Sequence, residues 1–360
     1  MKDPGVRGCT ARAGGAIRVV DGGLLTTVQD LGRPGYQAFG ISWAGAADEY
    51  ALRLANWAVG NAPGAAGLEI TLIGPRLLFT DEAIIAVTGA DLGPRLNGDA
   101  LPMWQPVRVP AGAALSFAGG SHGCRAYLAV TGGIDVPPVL GSRSTDLLGR
   151  FGGLDGRTLR AGDELPIGTL ADPSGRGQGG KPRLIPPELI PDYPEHLEAR
   201  VVLGPQEDHF TSEGLRVFLS SCYRVTPQSD RMGLRLEGPV IRHRGRADII
   251  SDGMPPGGVQ VPQDGRPMVL LANRQTVGGY PKIATVVSAD IWRLAQLRPG
   301  ASVSFRAVTP EEAHRLAIRY WQLWDEVQLA ARVTDAERVR WQLTVAGRHY
   351  MVALEEAHEE

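Results

Sequence analysis

The sequence predicts a mainly β protein of two barrel-like domains, with a few helices and a helical C-terminal extension. Three observations lead there. Glycine and proline are abundant, 47 and 27 of 360 residues, and such turn formers cut a chain into short strands. Short apolar or alternating runs follow one another between those turns. The runs come in two long series, without the strand–helix alternation that a doubly wound parallel sheet requires.

Residues 1–15 read as a disordered N-terminus. Lys2, Asp3, Arg7 and Arg12 are scattered among glycines, with none of the apolar core of a signal peptide. Residues 16–170 read as the first barrel, with strands at Ile17–Val20, Leu77–Thr80, Ala83–Val87, Ala114–Phe117 and Arg125–Val130. Asn97-Gly98 is a hairpin signal. Ala44–Val59 interrupts the strands. It has no Gly or Pro after Gly45, and Tyr50, Leu52, Leu54, Ala55 and Trp57 recur at helical spacing, so it reads as an amphipathic helix. Asp48 and Glu49 fall early on it, where acids complement the helix dipole.

Residues 171–195, rich in Gly, Pro, Ser and charge, read as a linker. Residues 196–308 read as the second barrel. Its strands are expected at Arg200–Leu203, Tyr223–Thr226, Gly233–Leu236, Asp248–Ser251, Gly258–Val261, Met268–Ala272 and Ala284–Val287. Ser288 is the expected N-cap of a short helix through Leu297. In the extension, 309–360, Thr309-Pro310-Glu311-Glu312 is a capping box with proline at the first helical position. The helix should run to about Ala331, with Trp321 and Trp324 on one face. The alternating stretch that follows reads as a terminal β-hairpin.

The net charge of −2, with no basic run, argues against nucleic acid as partner. Cys9, Cys124 and Cys222 are far apart and form no disulfide framework, which suits a reduced, cytoplasmic compartment. No apolar run approaches ~18 residues, so no membrane span is expected. Two motif matches fail on context. Residues 175–181 fit the start of a phosphate-binding loop, but no strand precedes them, no helix follows, and Pro182 replaces the hydroxyl residue that would hold magnesium. Gly119–Gly123 matches GxSxG, but a strand follows where a nucleophile elbow needs a helix, so it reads as a hairpin turn. His122 and Cys124 lack further ligands to complete a metal site.

Four clusters could carry chemistry. The densest is Asn273 to Lys282. After an apolar strand it offers a cation, two amides, a hydroxyl, a phenol and an ammonium beside Gly278-Gly279, whose backbone could approach a phosphate or carboxylate. The second runs from Thr27 to Tyr36, where Asp30 and Arg33 either pair or face a cleft. The third is Ser229–Gly233, with Arg231 as a fork for carboxylate or phosphate. The fourth, Asp252–Gln260, is a Pro/Gly-rich shaped loop of the kind that lines sites.

In this order, these clusters together with Gly45–Asp48, Leu52–Asn56, Val59–Asn61, Ala66–Thr71, Thr88–Asp91, Arg125–Val130, Leu236–Gly238 and Pro255–Pro262 closely resemble the biotin-dependent carboxyltransferase / allophanate hydrolase subunit 2 / KipA family, also called the 5-oxoprolinase C subunit family. The resemblance spans about residues 16–310. It implies two cyclophilin-like β-barrel domains and a heteromer with a KipI-like B subunit and with an A subunit. It further implies an ATP-dependent opening of the 5-oxoproline lactam to glutamate, with ATP and Mg shared with the partner subunits. Related domains transfer a carboxyl group from biotin to urea, and KipA-like members bind a kinase inhibitor. Asn273 stands where the family more often has Asp, and Val277 where it more often has Thr. The tail 341–354 looks like the opening strands of a biotin carrier. No Met-Lys-Met acceptor follows, so no covalent biotin is expected on this chain. With this chemistry in view, Asp30, Arg231 and Lys282 are the expected catalytic residues. Arg33, Ser42, Gln260, Asn273, Gln275, Gly278, Gly279 and Tyr280 are expected to bind a small amide substrate. No protein-held metal, nucleic acid or membrane is expected.

Overall fold

The structure is a computed structural model and describes residues 15–120, 122–169, 181–336, 340–345 and 348–353. The expected disorder of the N-terminus, the early linker and Ser121 of the GxSxG match lie outside these residues. The chain forms two compact units, Met1–Val308 and Thr309–Glu360. Both predicted barrel segments fall within the first.

The first half of that unit contains β1 (Ala16–Asp21), β2 (Leu25–Gln29), α1 (Glu49–Ala58), β3 (Gly67–Thr71), β4 (Arg76–Phe79), β5 (Ala83–Asp91), β6 (Pro94–Leu96), β7 (Asp99–Ala100), β8 (Val107–Val109), β9 (Ala114–Phe117), β10 (His122–Val130) and β11 (Glu164–Pro166). They make a six-stranded sheet, β11-β1-β4-β9-β6-β7, and a five-stranded sheet, β2-β3-β10-β5-β8. Ile17, Val19, Leu77, Phe79 and Leu115 of the first meet Leu68, Ile70, Ile85, Val87 and Leu128 of the second in one buried cluster. Asn97 and Gly98, both at positive φ, turn β6 into β7 as a hairpin. The Gly119–Gly123 turn is not a hairpin, because β9 and β10 belong to different sheets.

Side chains on a strand alternate between faces. On β3 and β10 the core takes Leu68, Ile70, Ala126, Leu128 and Val130. The intervening Glu69, Arg125 and Tyr127 therefore occupy the opposite face, where Tyr127 packs with Ala51 and Leu52 of α1. A helix apolar on nearly every side must be buried on nearly every side, and eight of the ten residues of α1 are buried. Its start is Asp48, whose carboxylate accepts from the Ala51 N–H at 2.9 Å. Residues 44–48, read as the first turn of this helix, lie before it.

Residues 181–195 run alongside α1 rather than standing free. The Arg183 N–H reaches the Ala58 carbonyl, and Tyr50 Oη donates to the Leu189 carbonyl at 2.7 Å. Next come β12 (His196–Leu203), α2 (Ser212–Ser220), β13 (Cys222–Val225), β14 (Gly233–Glu237), β15 (Asp252–Gly253), β16 (Gly258–Gln260), β17 (Met268–Leu270), β18 (Val277–Gly278), β19 (Lys282–Val286), α3 (Ser288–Leu294) and β20 (Ser302–Ala307). Seven of these strands close a barrel, β12-β19-β16-β17-β14-β13-β20, completed by the parallel pairing of β20 with β12. Three local expectations shift. Asp248–Ser251 is not a strand, and β15 begins one residue later. Val287, not Ser288, is the N-cap of α3, and the helix ends at Leu294, short of the expected Leu297. Helix α2 went unforeseen. Its cap, Thr211, accepts from the Gly214 N–H at 2.9 Å, and it buries Phe218.

In the second unit α4 spans Pro310–Ala336, five residues beyond its expected end, and Thr309 Oγ1 accepts from the Glu312 N–H. Strands β21 (Arg340–Val345) and β22 (Arg348–Ala353) form the terminal hairpin. Among the described residues no helix is long and apolar enough to cross a membrane.

Candidate functional site

The polar face of β3 and β10 meets the second half of the unit. Glu69, fully buried, accepts from the Ala47 N–H at 2.8 Å, from Tyr127 Oη at 2.8 Å and from Arg231 Nη1. Arg125 Nε lies 3.6 Å away. Burial pulls the Glu69 carboxyl upward, but Arg231 and Arg125 outweigh it and hold the group below its ordinary range. Arg231 spends its remaining donors on Asn273 Oδ1, at 2.9 Å, and on the Gly45 carbonyl. Gly45 has φ +83°, and a Cβ there would stand 2.8 Å from the Gly32 nitrogen. Only glycine suits that turn. Arg231, expected as a substrate fork, is thus committed to joining the two halves.

Ser42 and Asn273 come together on a residue the sequence did not single out, Asp146, and Arg33 lies in the field of both Asp146 and Asp30. Ser42 Oγ donates to Asp146 Oδ2 at 2.7 Å, and Asn273 Nδ2 approaches Oδ1 at 3.4 Å. Asp30 and Arg33 do not bond each other. The Asp30 carboxylate accepts from Ser142 Oγ, Ser144 Oγ and the N–H groups of Gly32 and Arg143, all at 2.5–2.8 Å. It was expected to be catalytic, and the structure has it fastening the 142–144 loop. Arg33 donates to the Ser144 carbonyl and lies over the Phe151 ring, 4.8 Å from its centroid. Burial lowers its pKa, opposed by Asp146 and Asp30.

A third junction contact centres on Asp48, also fully buried. Besides capping α1 it accepts from Gln296 Nε2 at 2.7 Å and Tyr193 Oη at 2.8 Å. Burial pushes its carboxyl up to about 6. The Ala51 N–H, Gln296 and Tyr193 restrain the rise, and Glu69 adds to it. Gln296 Oε1 in turn accepts from the N–H groups of Cys124 and Arg125.

Lys282 belongs to a separate cluster on the barrel. It is 1 % exposed, yet its Nζ reaches the half-exposed Asp252 at 2.9 Å. Gln206 Nε2 donates to the same carboxylate oxygen at 3.2 Å. The Lys282 hydrogen bond first, and the Gly253 N–H next, hold Asp252 below the usual carboxylate range. Gln260 is the cross-strand partner of Lys282 and accepts from Gln275 Nε2 at 3.2 Å. Gln275 Oε1 is buried and has no partner among the described residues. Gly278 pairs with Asp252 across the β15–β18 ribbon, and Tyr280 is exposed. The expected residues therefore divide. Asp30, Arg33, Ser42, Asn273 and Arg231 meet at the junction of the halves, while Gln260, Gln275, Gly278 and Lys282 meet on the barrel. The turn 273–275 connects the two clusters.

A two-sheet half, a closed barrel and a buried polar junction between them describe a carboxyltransferase domain. The chain belongs to that family, and the family "Carboxyltransferase domain, subdomain A and B" matches residues 39–307. More particularly, it is 42% identical over 299 residues to the C subunit of the 5-oxoprolinase of Escherichia coli (strain K12), covering 82% of this chain and 93% of that protein. It is 37% identical to the urea amidolyase of Lachancea kluyveri, over 84% of this chain but 17% of that protein. Among solved structures, the K. lactis urea amidolyase matches with a TM-score of 0.81 and 32% identity, over 89% of this chain and 20% of that one.

Proposed function

We propose that this chain is the C subunit of an ATP-dependent 5-oxoprolinase, acting with a KipI-like B subunit and with an A subunit. The observation that carries this reading is the 42% identity extending over 93% of the Escherichia coli protein. The chemistry of the site is compatible. A lactam is a poor electrophile. Activating it takes donors for the carbonyl oxygen, orienting it takes an acceptor for the ring N–H, and the departing nitrogen gains its proton from the attacking water. Lys282 keeps N–H groups beyond the one given to Asp252, and Gln275 Oε1 is an acceptor without a donor. We assign Lys282 to the carbonyl oxygen and Gln275 to the ring nitrogen, with Gln260 positioning Gln275. Arg231 and Asp30 hold the loops that frame the turn 273–275. Among the described residues no three of His, Cys, Asp or Glu gather to seat a metal, and the charge of Lys282 is already matched by Asp252. ATP and its magnesium are taken to be shared with the partner subunits.

The test is release of glutamate from 5-oxoproline by the three mixed subunits, with and without this chain. Loss of release on omission, and again with Lys282→Met, is the expected result. Release that continues without the chain would remove the reading. A second reading, carboxyl transfer to an amide nitrogen, draws on the urea amidolyase relatives. It predicts an avidin-reactive partner in the purified complex.

A further inference from the structure

Among the described residues of the first unit four arginines are buried: Arg33, Arg125, Arg231 and Arg274, at 1, 3, 3 and 3 % exposure. Three of them lie close to an acid. Arg125 and Arg231 share Glu69, and Arg33 lies in the field of Asp146 and Asp30. Arg274 has none. Its Nε donates to the Met254 carbonyl at 2.8 Å and its Nη1 to the Leu271 carbonyl at 3.5 Å. Its Nη2 bonds to no described residue. Carbonyl dipoles satisfy N–H groups but leave the charge unmatched. Burial alone pulls the Arg274 pKa down, to about 10, with no carboxylate opposing the shift. Even so, the group stays cationic at neutral pH.

An unmatched buried cation is costly, and proteins resolve it with a counter-anion. The position of Arg274 says where that anion would sit. Asn273 reaches into the junction cluster, and Gln275 into the Lys282 cluster. Arg274 stands in the turn between them. The nearby positive groups are already engaged, Lys282 by Asp252 and Arg231 by Glu69. A ligand carboxylate entering this region therefore finds one uncompensated partner among the described residues.

We propose that Arg274 is a binding residue for the carboxylate of the substrate, and so the residue that selects a carboxylated lactam over a plain one. The assignment rests on 5-oxoproline as substrate. It makes Arg274 responsible for the carboxylate while Lys282 and Gln275 read the amide.

The experiment is calorimetric titration of the full chain at low salt with 5-oxoproline, with 2-pyrrolidinone, which is the same lactam without the carboxylate, and with inorganic phosphate. The wild type should bind 5-oxoproline roughly tenfold or more tightly than 2-pyrrolidinone, as expected for a charge-assisted bond. Arg274→Met should abolish that preference and leave 2-pyrrolidinone binding unchanged, and Arg274→Lys should restore part of it. The ligand-free Tm of Arg274→Met should hold or rise, because the substitution removes an unmatched charge. A purely structural arginine would instead lower it. Four results overturn the proposal: the preference survives in Arg274→Met, both lactams weaken equally, phosphate alone binds at Arg274, or the wild type binds neither lactam. Titration and turnover fail separately. A mixture of subunits that releases no glutamate while the Arg274-dependent preference persists refutes the oxoprolinase reading and leaves the carboxylate site standing. Turnover with an unchanged KM for 5-oxoproline in Arg274→Met does the reverse.

Discussion

Replacing Arg231 with methionine keeps most of the side-chain volume and removes its charge. Three hydrogen bonds are lost, to Glu69, Asn273 and Gly45. The two to neutral acceptors are worth about 1 kcal/mol each and the charge-assisted one about 2 kcal/mol. The total falls within the roughly 3–5 kcal/mol seen when one partner of a buried ion pair is removed. Glu69 does keep the Ala47 N–H, Tyr127 Oη and the more distant Arg125. In a chain of this size the loss corresponds to a Tm lowered on the order of 5–15 °C. Thermal unfolding followed by circular dichroism and calorimetry at neutral pH measures it. Glu69→Gln, introduced on top of Arg231→Met, should cost less than its effect in the wild type, because the carboxylate it removes is no longer paired. A Tm lowered by only a degree or two, or strict additivity of the two changes, would refute the junction role and return Arg231 to the free functional cations.

Asp48→Asn should change the pH dependence of stability. A carboxyl raised to about 6 when folded contributes stability that is fully present below the unfolded value near 4 and is lost as pH rises through about 6. The wild type should therefore lose on the order of 3 kcal/mol relative to Asp48→Asn between those limits, read from melting curves at stepped pH. Lys282→Met should leave Tm almost unchanged, because its partner Asp252 is half exposed, while glutamate release by the mixed subunits falls at least roughly a hundredfold. Gly152→Ala should be severe. Gly152 sits at φ +70°, and the new Cβ would lie 2.2 Å from the Ser144 carbonyl oxygen and 2.8 Å from Arg33 Nη2. The expected cost is on the order of 3 kcal/mol, together with weaker 5-oxoproline binding as the Arg33 loop shifts.

What the sequence made legible was local. Asn97-Gly98 needs only its own φ preference to announce a hairpin, and the capping box at Thr309 needs only three residues. The Ala44–Val59 helix was visible because its apolar residues share a period, although Asp48 trims its start. The alternation in Leu68-Glu69-Ile70 puts Glu69 on the face away from the core, but nothing in that stretch says the face is covered. The cover comes from α1 and from Arg231, and an acid on the outward face of a strand ordinarily meets water. Asp146 was missed for a related reason. Its segment, Ser142-Arg143-Ser144-Thr145-Asp146, is too polar for a strand, and that alone could have flagged a shaped loop. Its partners, however, are Ser42 and Asn273. Arg274 stood in a segment singled out for its cation, and only the geometry distinguishes it from arginines that have partners. The residues expected to act together were separated for the same reason: Asn273 and Gln275 are two apart in sequence, but each answers to a different half of the fold.

The bond between Arg231 and Glu69 spans 162 positions of the chain. At synthesis rates of about 5–20 residues per second, Glu69 emerges on the order of ten to thirty seconds before its partner exists. Closure of the barrel waits longer still, for Ser302–Ala307 to pair with His196–Leu203. Throughout that interval the first half can assemble its sheets and lay α1 on the outer face of β3 and β10, but the part of that face that Arg231 covers stays open, with Glu69 held only by the Ala47 N–H, Tyr127 and Arg125. Covering that part waits for the second half. A ribosome stall placed before codon 231 and one placed after codon 307 should therefore yield first halves that differ in protease sensitivity at the loops bearing Gly45 and Asp146.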